Sequence, residues 1–348
     1  MKNRLLIFSF LVSLLPLKVS AWGFFAHQRI DRLAVFTLPP EMIGFYKRNI
    51  VYITETSVKP DSRRSVVPGE APRHYIDIDI YGDSALYKMP RFWKDAVARY
   101  TEDTLMAYGI VPWHINLMKY QLTEAMKAMD ADRILKLSSE MGHYIADASV
   151  PLHTTENYNG QLTNQRGIHG LWESRLPELL SANYDFFVGR ARYINNSQLA
   201  AWEAVTGSHL ALDSVLRFER EVTASMDDDK KYSFEDRNGV NTRVYSRDFC
   251  NEYHRRLNGQ VERRMRYAIA LVGSYWYTCW VDAGQPDLNK LTGISAEELK
   301  RQEEEEKQLR KNREMQVRPE ASLPAVDGSD HLGCNHSHAF PVFVKHDH

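Results

Sequence analysis

Apolar positions recur every three to four residues along most of this chain, and the two-residue alternation of half-buried strands is sparse. The spacing predicts helices over residues 86–108, 112–129, 130–148, 169–188 and 199–226. Within 130–148 the repeating positions are Ile134, Leu137, Met141, Tyr144, Ile145 and Ala148, and Pro151 closes the helix. From 247 to 282 the period runs through Phe249, Tyr253, Leu257, Val261, Met265, Ile269, Val272 and Trp276. That stretch reads as one long helix, with Gly259 and Gly273 as the places where it can break. Residues 226–244, MDDDKKYSFEDRNGVNTRV, are polar and rich in turn formers, so they read as a loop. No repeat is present. The expectation is an all-α protein with a single multi-helix domain.

The two ends fall outside that pattern. Lys2 and Arg4, the apolar run LLIFSFLVSLLPL and the small residues Val19-Ser20-Ala21 read as a secretory signal peptide over 1–21. The run is too short and wrongly flanked for a membrane span. Cleavage between Ala21 and Trp22 predicts a secreted or periplasmic protein. The helical domain is expected over 22–290. Residues 291–318 then read as a charged helical arm: Ser295 and Glu298 form a capping box, and EELKRQEEEEKQLRKNRE has almost no apolar face. Residues 319–348 read as a disordered His-rich tail. His331, Cys334, His336, His338, His346 and His348 match no closed zinc motif, so they read as incidental.

Charge and cysteine change little. With 44 basic and 45 acidic residues the formal net charge is -1, which argues against a strongly basic nucleic-acid binder but not against local patches. Three cysteines cannot all pair. On one unbroken helix Cys250 and Cys279 would lie about 43 Å apart, so the fold is not expected to rest on disulfides.

Candidate chemistry concentrates between His143 and Glu173, in HYIADASVPLH and HGLWE. His143 with Asp147, and His169 with Glu173, stand at i,i+4, where side chains leave the same helix face roughly 5–6 Å apart. Each pair can chelate a metal without distorting the backbone, and His153 lies between them. His27 and His74 precede this block, and histidine is the commonest zinc ligand. Cleavage before Trp22 would also free an α-amine of pKa about 7.7–8.0, which a metal can deprotonate. Its nitrogen and the Trp22 carbonyl oxygen would then form a five-membered chelate. His114 has no ligand-spaced partner and reads as packing. Trp113, Tyr75, Phe24 and Phe25 could line a cleft, though aromatics in helical proteins are mostly core. Arg63 or Arg64 could touch phosphate, but the better reading is a helix-surface arginine.

In order, WGFFAH, PDSRR, RHYIDID, HYIADASVPLH and GIHGLWE resemble the motifs of the zinc-dependent phospholipase C and single-strand nuclease superfamily. The resemblance covers roughly residues 22–180, and WYTCWVDAG is compatible with the last core helix of that family. It implies an all-helical enzyme holding three Zn2+ ions in one cleft. Carried over residue by residue, it implies that Asp61, His74, His143 and Asp147 hold one zinc. Trp22 and His27 hold a second, with Asp147 bridging. His153, His169 and Glu173 hold the third and most exposed. Asp61 rests on the shortest motif, with Asp77 and Asp79 as rivals by position, and is the candidate catalytic residue, as a base or by orienting water.

The implied activity is hydrolysis of a phosphodiester by a zinc-activated water. Glu173, where the nuclease branch uses aspartate, and the short gap from His153 to His169 favour a phospholipase C-like enzyme acting on phospholipid, with peripheral contact to a membrane surface. The alternative substrate is single-stranded DNA or RNA, with 3'-nucleotidase activity as a variant. A zinc-binding surface protein without turnover is the reading from another class. No stable protein partner is expected.

Overall fold

The structure, a computed structural model, describes residues 24–237, 239–294, 299–304 and 307. The signal-peptide segment, Trp22, the cap at Ser295 and Glu298, and the tail with its histidines and Cys334 lie outside the described residues.

The chain begins with α1 (Phe24–Ala34), α2 (Pro40–Arg48), α3 (Ile50–Thr56) and the short α4 (Lys59–Arg63). Buried Ala26, His27, Ile30, Asp31 and Ala34 form a stripe on α1 at helical spacing, which faces α3, α9 and α15 (the last two placed below). The stretch expected as one helix over 86–108 is instead α5 (Ala85–Lys88), α6 (Trp93–Tyr100) and α7 (Glu102–Tyr108). Pro90 follows α5, and Thr101 turns the chain with a φ of 66°. The next two helices, α8 (Val111–Lys127) and α9 (Ala131–Ala148), come as predicted. The Asp130 side chain caps α9 by accepting from the Arg133 N–H (3.1 Å).

The expected 169–188 helix ends early. It consists of α10 (Ile168–Gly170), a π-helical turn over Leu171–Arg175, and α11 (Leu176–Leu180). From residue 184 the chain instead runs alongside other elements: the Ala191 N–H donates to the Thr37 carbonyl (2.8 Å), and the Arg192 and Ile194 N–H groups donate to the hydroxyls of Ser274 (3.1 Å) and Thr278 (2.9 Å). The long α12 (Ser197–Ser225) follows, capped by Asn196.

The expected loop over 226–244 is the clearest correction. It forms α13 (Asp228–Lys231) and an antiparallel hairpin of β1 (Tyr232–Arg237) and β2 (Val240–Tyr245). Arg237 pairs with Val240, so the turn spans two residues, and Gly239 takes the positive φ (80°) that such hairpin turns require. The single helix expected over 247–282 is α14 (Arg247–Leu257) and α15 (Gln260–Asp282). Asn258 (φ 47°) and Gly259 (φ 72°) are both left-handed, which no continuous helix tolerates. Cys250 on α14 and Cys279 on α15 are buried free thiols, as the absence of a disulfide framework required. No described helix is long and apolar enough to cross a membrane.

The fold is all-α apart from the hairpin. Helix α9 lies at its centre, packed by α1, α3, α8, α12 and α15, and every residue from Met141 to Ala148 is buried. One side of it joins an aromatic core: Trp276 stacks on Tyr46 (5.0 Å), the Tyr46 hydroxyl meets the Ser138 hydroxyl (2.9 Å), and the Trp276 indole donates to the Ser138 carbonyl (3.0 Å). Such an aromatic pair contributes about 0.5–1.5 kcal/mol beyond its burial. Another side carries His143 and Asp147.

Candidate metal centre

The i,i+4 spacing on α9 places His143 Nε2 3.2 Å from an Asp147 oxygen. Helix α1 lays His27 over His143, with ring centroids 4.0 Å apart. His74, at the end of a 3₁₀ turn over Ala71–His74, turns Nδ1 towards Asp147 (2.9 Å) and His143 Nε2 (3.0 Å). Asp61, on α4, brings a carboxylate oxygen to 3.5 Å from His143 Nε2 and 3.6 Å from His74 Nδ1. A few ångströms away, His153 Nε2 and His169 Nε2 lie 3.3 Å and 2.9 Å from the same Glu173 oxygen. Asp147 links the two regions, since it also reaches His27 (3.4 Å) and His153 (3.9 Å).

Three groups result whose donor atoms lie within 4.8 Å of one another: His27, Asp61 and His143; His74, His143 and Asp147; and His153, His169 and Glu173. Each could hold a metal ion, and the first two share His143, whose one free nitrogen, Nε2, serves one ion at a time. The donor chemistry fits. Both Asp61 oxygens, one Asp147 oxygen and His153 Nε2 are buried and lack a hydrogen-bond partner. Buried polar atoms left so cost free energy unless something else satisfies them. Several converging on one place point to a cation there.

The other edges of the rings are anchored. His143 Nδ1 donates to the Ser57 carbonyl (2.8 Å), His153 Nδ1 to the His74 carbonyl (2.5 Å) and His169 Nδ1 to the Tyr158 carbonyl (3.1 Å). These bonds fix which nitrogen of each ring faces the cluster. Burial alone would lower the affinity of His143 for a proton, but Asp147 and Asp61 overcome it and hold its pKa well above the ordinary value. Burial would raise the Asp61 and Glu173 carboxyls, yet the histidines beside them bring both down to about 2. Without metal, then, the cluster is a set of ion pairs; a metal takes the proton's place, and binding releases protons.

Eight of the nine candidate ligands thus come together, and Trp22 lies outside the described residues. Asp61, and neither positional rival, joins the cluster. Asp79 is engaged elsewhere, accepting from the Thr155 hydroxyl (2.6 Å) and the Glu156 N–H (3.0 Å), and Asp77 belongs to no metal-compatible group. His114 packs edge-on against Tyr144 (4.6 Å), and Trp113 sits among Trp93 and Trp202. The helix-surface expectation fails for Arg64 and not for the partly exposed Arg63. Arg64 is only 6% exposed, beside Asp61 (4.0 Å) and over the Tyr75 ring, and Arg63 binds Glu140 (2.6 Å). Their signal was spacing, since Arg64 stands three residues beyond Asp61 on a helical turn. Sequence reading also passed over Glu70, four residues before His74 and buried behind it.

No family model matches this chain, and no curated protein does. Among solved structures it is similar to the alpha-toxin of Clostridium perfringens isolated from avian strain SWCP, with 12% identity and a TM-score of 0.43 over 77% of this chain and 65% of that one. It is also similar to the alpha toxin of Clostridium absonum, with 13% identity and a TM-score of 0.40 over 78% of this chain. The chain spans 65% of the length of each.

Proposed function

We propose that this protein is a zinc-dependent phosphodiesterase that cleaves phospholipid on the glycerol side of the phosphate, in the manner of a phospholipase C. The observation that carries the reading is three adjoining buried groups of histidine and carboxylate around Asp147. Structural zinc sites are usually single and closed, whereas a row of adjoining sites suits a substrate with several anionic oxygens. His27, Asp61, His74, His143, Asp147, His153, His169 and Glu173 would hold the zinc, with the freed amine and carbonyl of Trp22 completing the set. Bound zinc supplies Lewis-acid polarisation of the phosphoryl group and a water acidic enough to serve as nucleophile near neutral pH.

The chain's own residues do the rest. Asp61, kept ionised by the histidines beside it, orients the attacking water in line with the leaving oxygen and accepts its proton. Arg64, buried beside Asp61, offers its planar donors to a phosphoryl oxygen. Main-chain carbonyls behind His143, His153 and His169 keep those rings from turning. By the resemblance of its motifs, a glutamate at position 173 and the short span between His153 and His169 favour lipid over nucleic acid.

The test uses mature protein starting at Trp22, reconstituted with zinc, with a His143→Ala control. Phosphatidylcholine vesicles and single-stranded DNA are offered side by side. Chelator-sensitive release of phosphocholine with intact DNA is the expected result. DNA cleavage with intact lipid would move the protein to the nuclease reading, and zinc uptake with neither reaction would favour a binding protein.

A further inference from the structure

His74 is anchored differently from three of its neighbours. His143, His153 and His169 each donate the nitrogen that faces away from the cluster to a main-chain carbonyl. His74 presents Nδ1 to the cluster, and its Nε2 faces a carboxylate, with Glu70 Oε1 3.7 Å away. Glu70 is 1% exposed. Its own position is held from three directions: the Tyr144 hydroxyl donates to it, Arg73 binds its second oxygen (3.0 Å), and Arg63 Nη2 approaches at 3.6 Å. Arg63 is itself fixed by Glu140 of α9, and Tyr144 follows His143 on α9. A carboxylate buried this deeply is costly unless it is paired, and here two arginines, a phenol and an imidazole surround it.

We infer that Glu70 is a positioning residue that makes the group of His74, His143 and Asp147 the tightest-holding of the three. A metal on Nδ1 of His74 obliges Nε2 to carry its proton. That N–H points at Glu70, and closing the remaining gap forms a charge-assisted hydrogen bond. A carboxylate behind a histidine fixes ring orientation and raises the basicity of the metal-facing nitrogen, and losing such a partner typically weakens metal binding about 10–100-fold. A carbonyl carries no full charge, so those three rings gain less. The inference rests on the metal-binding part of the proposed function and is independent of its substrate.

The experiment is equilibrium competition between the mature, zinc-loaded protein and a chromogenic chelator, with no substrate present. In the wild type the ions should leave in separable steps. Glu70→Gln should shift the last, tightest step about 10–100-fold and leave the earlier steps in place. Tyr144→Phe, which keeps the carboxylate but frees it, should shift the same step less. Far-ultraviolet circular dichroism of both variants should match the wild type. A Glu70→Gln protein with a wild-type release profile would overturn the inference, as would one that weakens all steps equally, which is the mark of a structural role. Should Glu70→Gln fail to fold, Tyr144→Phe decides by the same comparison. A wild-type chain that takes up no zinc overturns the inference together with the metal reading, whereas zinc release as described with no phosphodiester hydrolysis leaves the inference standing and removes the proposed activity.

Discussion

The metal-compatible region has two halves built by different means. His27, His143 and Asp147 stand on α1 and α9, two helices packed face to face, so their positions follow from regular backbone and close packing. His153, His169 and Glu173 stand on a 3₁₀ turn, a three-residue helix and a π-helical turn. Polar bonds hold the chain between them. Asp79 accepts from Thr155 and Glu156, Asn157 accepts from the Leu162 N–H (2.8 Å), Asn159 accepts from the Gly167 N–H (2.9 Å), and Gln165 donates to Glu219 (2.5 Å). Arg175, two residues beyond Glu173, makes a bidentate pair with Glu235 of the hairpin. The first half is as firm as the core. The second is as firm as a set of side-chain bonds, each contributing about 0.5–1.5 kcal/mol. Irregular turns let three ligands leave a short segment at angles that no single helix provides.

The largest expected effect erases the contrast. Among the described residues Asp147 is the carboxylate that reaches both halves, so Asp147→Asn should empty sites in each and lower turnover by more than the roughly 100-fold typical of outer partners. Metal content by atomic emission checks this, and retention of all ions in one half would show that the halves bind independently.

Next comes the packing of α1 on α9. A Cβ added at Gly142 would lie 2.0 Å from Asp31 Oδ1. Gly142→Ala should therefore force the two helices apart and cost at least about 1–3 kcal/mol. Thermal unfolding of the metal-free protein reads this directly, and an unchanged Tm would mean that the helices do not meet so closely.

Acid should act on both halves together. The folded pKa values of Asp61 and Glu173, about 2, lie below the ordinary carboxylate values. The stability they contribute is complete above a pH of roughly 4–4.5 and lost as pH falls towards 2. Metal-free protein should show a falling Tm over that window, less steeply in Asp61→Asn. A flat profile would contradict the ion-paired state described for the cluster.

The smallest effect sharpens the comparison. The Glu235 side chain is 40% exposed, so Glu235→Gln should change stability by less than about 1 kcal/mol. It should nonetheless speed zinc loss from the half containing Glu173 a few-fold. Equal acceleration of every ion would show that the hairpin braces the whole molecule.

The same contrast explains what was legible in the sequence. The α9 ligands were readable because i,i+4 spacing on a helix is geometry, and Pro151 marks its end. The hairpin was not, because its strands are charged and largely exposed on both faces, so no apolar alternation announced them; only the Asn238-Gly239 dipeptide carried the signal. The break between α14 and α15 was masked by apolar positions that keep their period across Asn258. Arg64 looked like a surface residue because burial comes from packing, here against Tyr75 and Asp61, and composition cannot show that.

The burial of α9 has a kinetic consequence. His27, His74, His143 and Asp147 are each 0% exposed. An ion held there is screened from solvent on most sides, and the partly exposed Asp61 marks the side from which water, substrate or a chelator reaches it. Exchange is then slowed by restricted access and local opening of the fold as well as by ligand affinity. A protein of this design would keep its ions through long dilution in metal-poor surroundings.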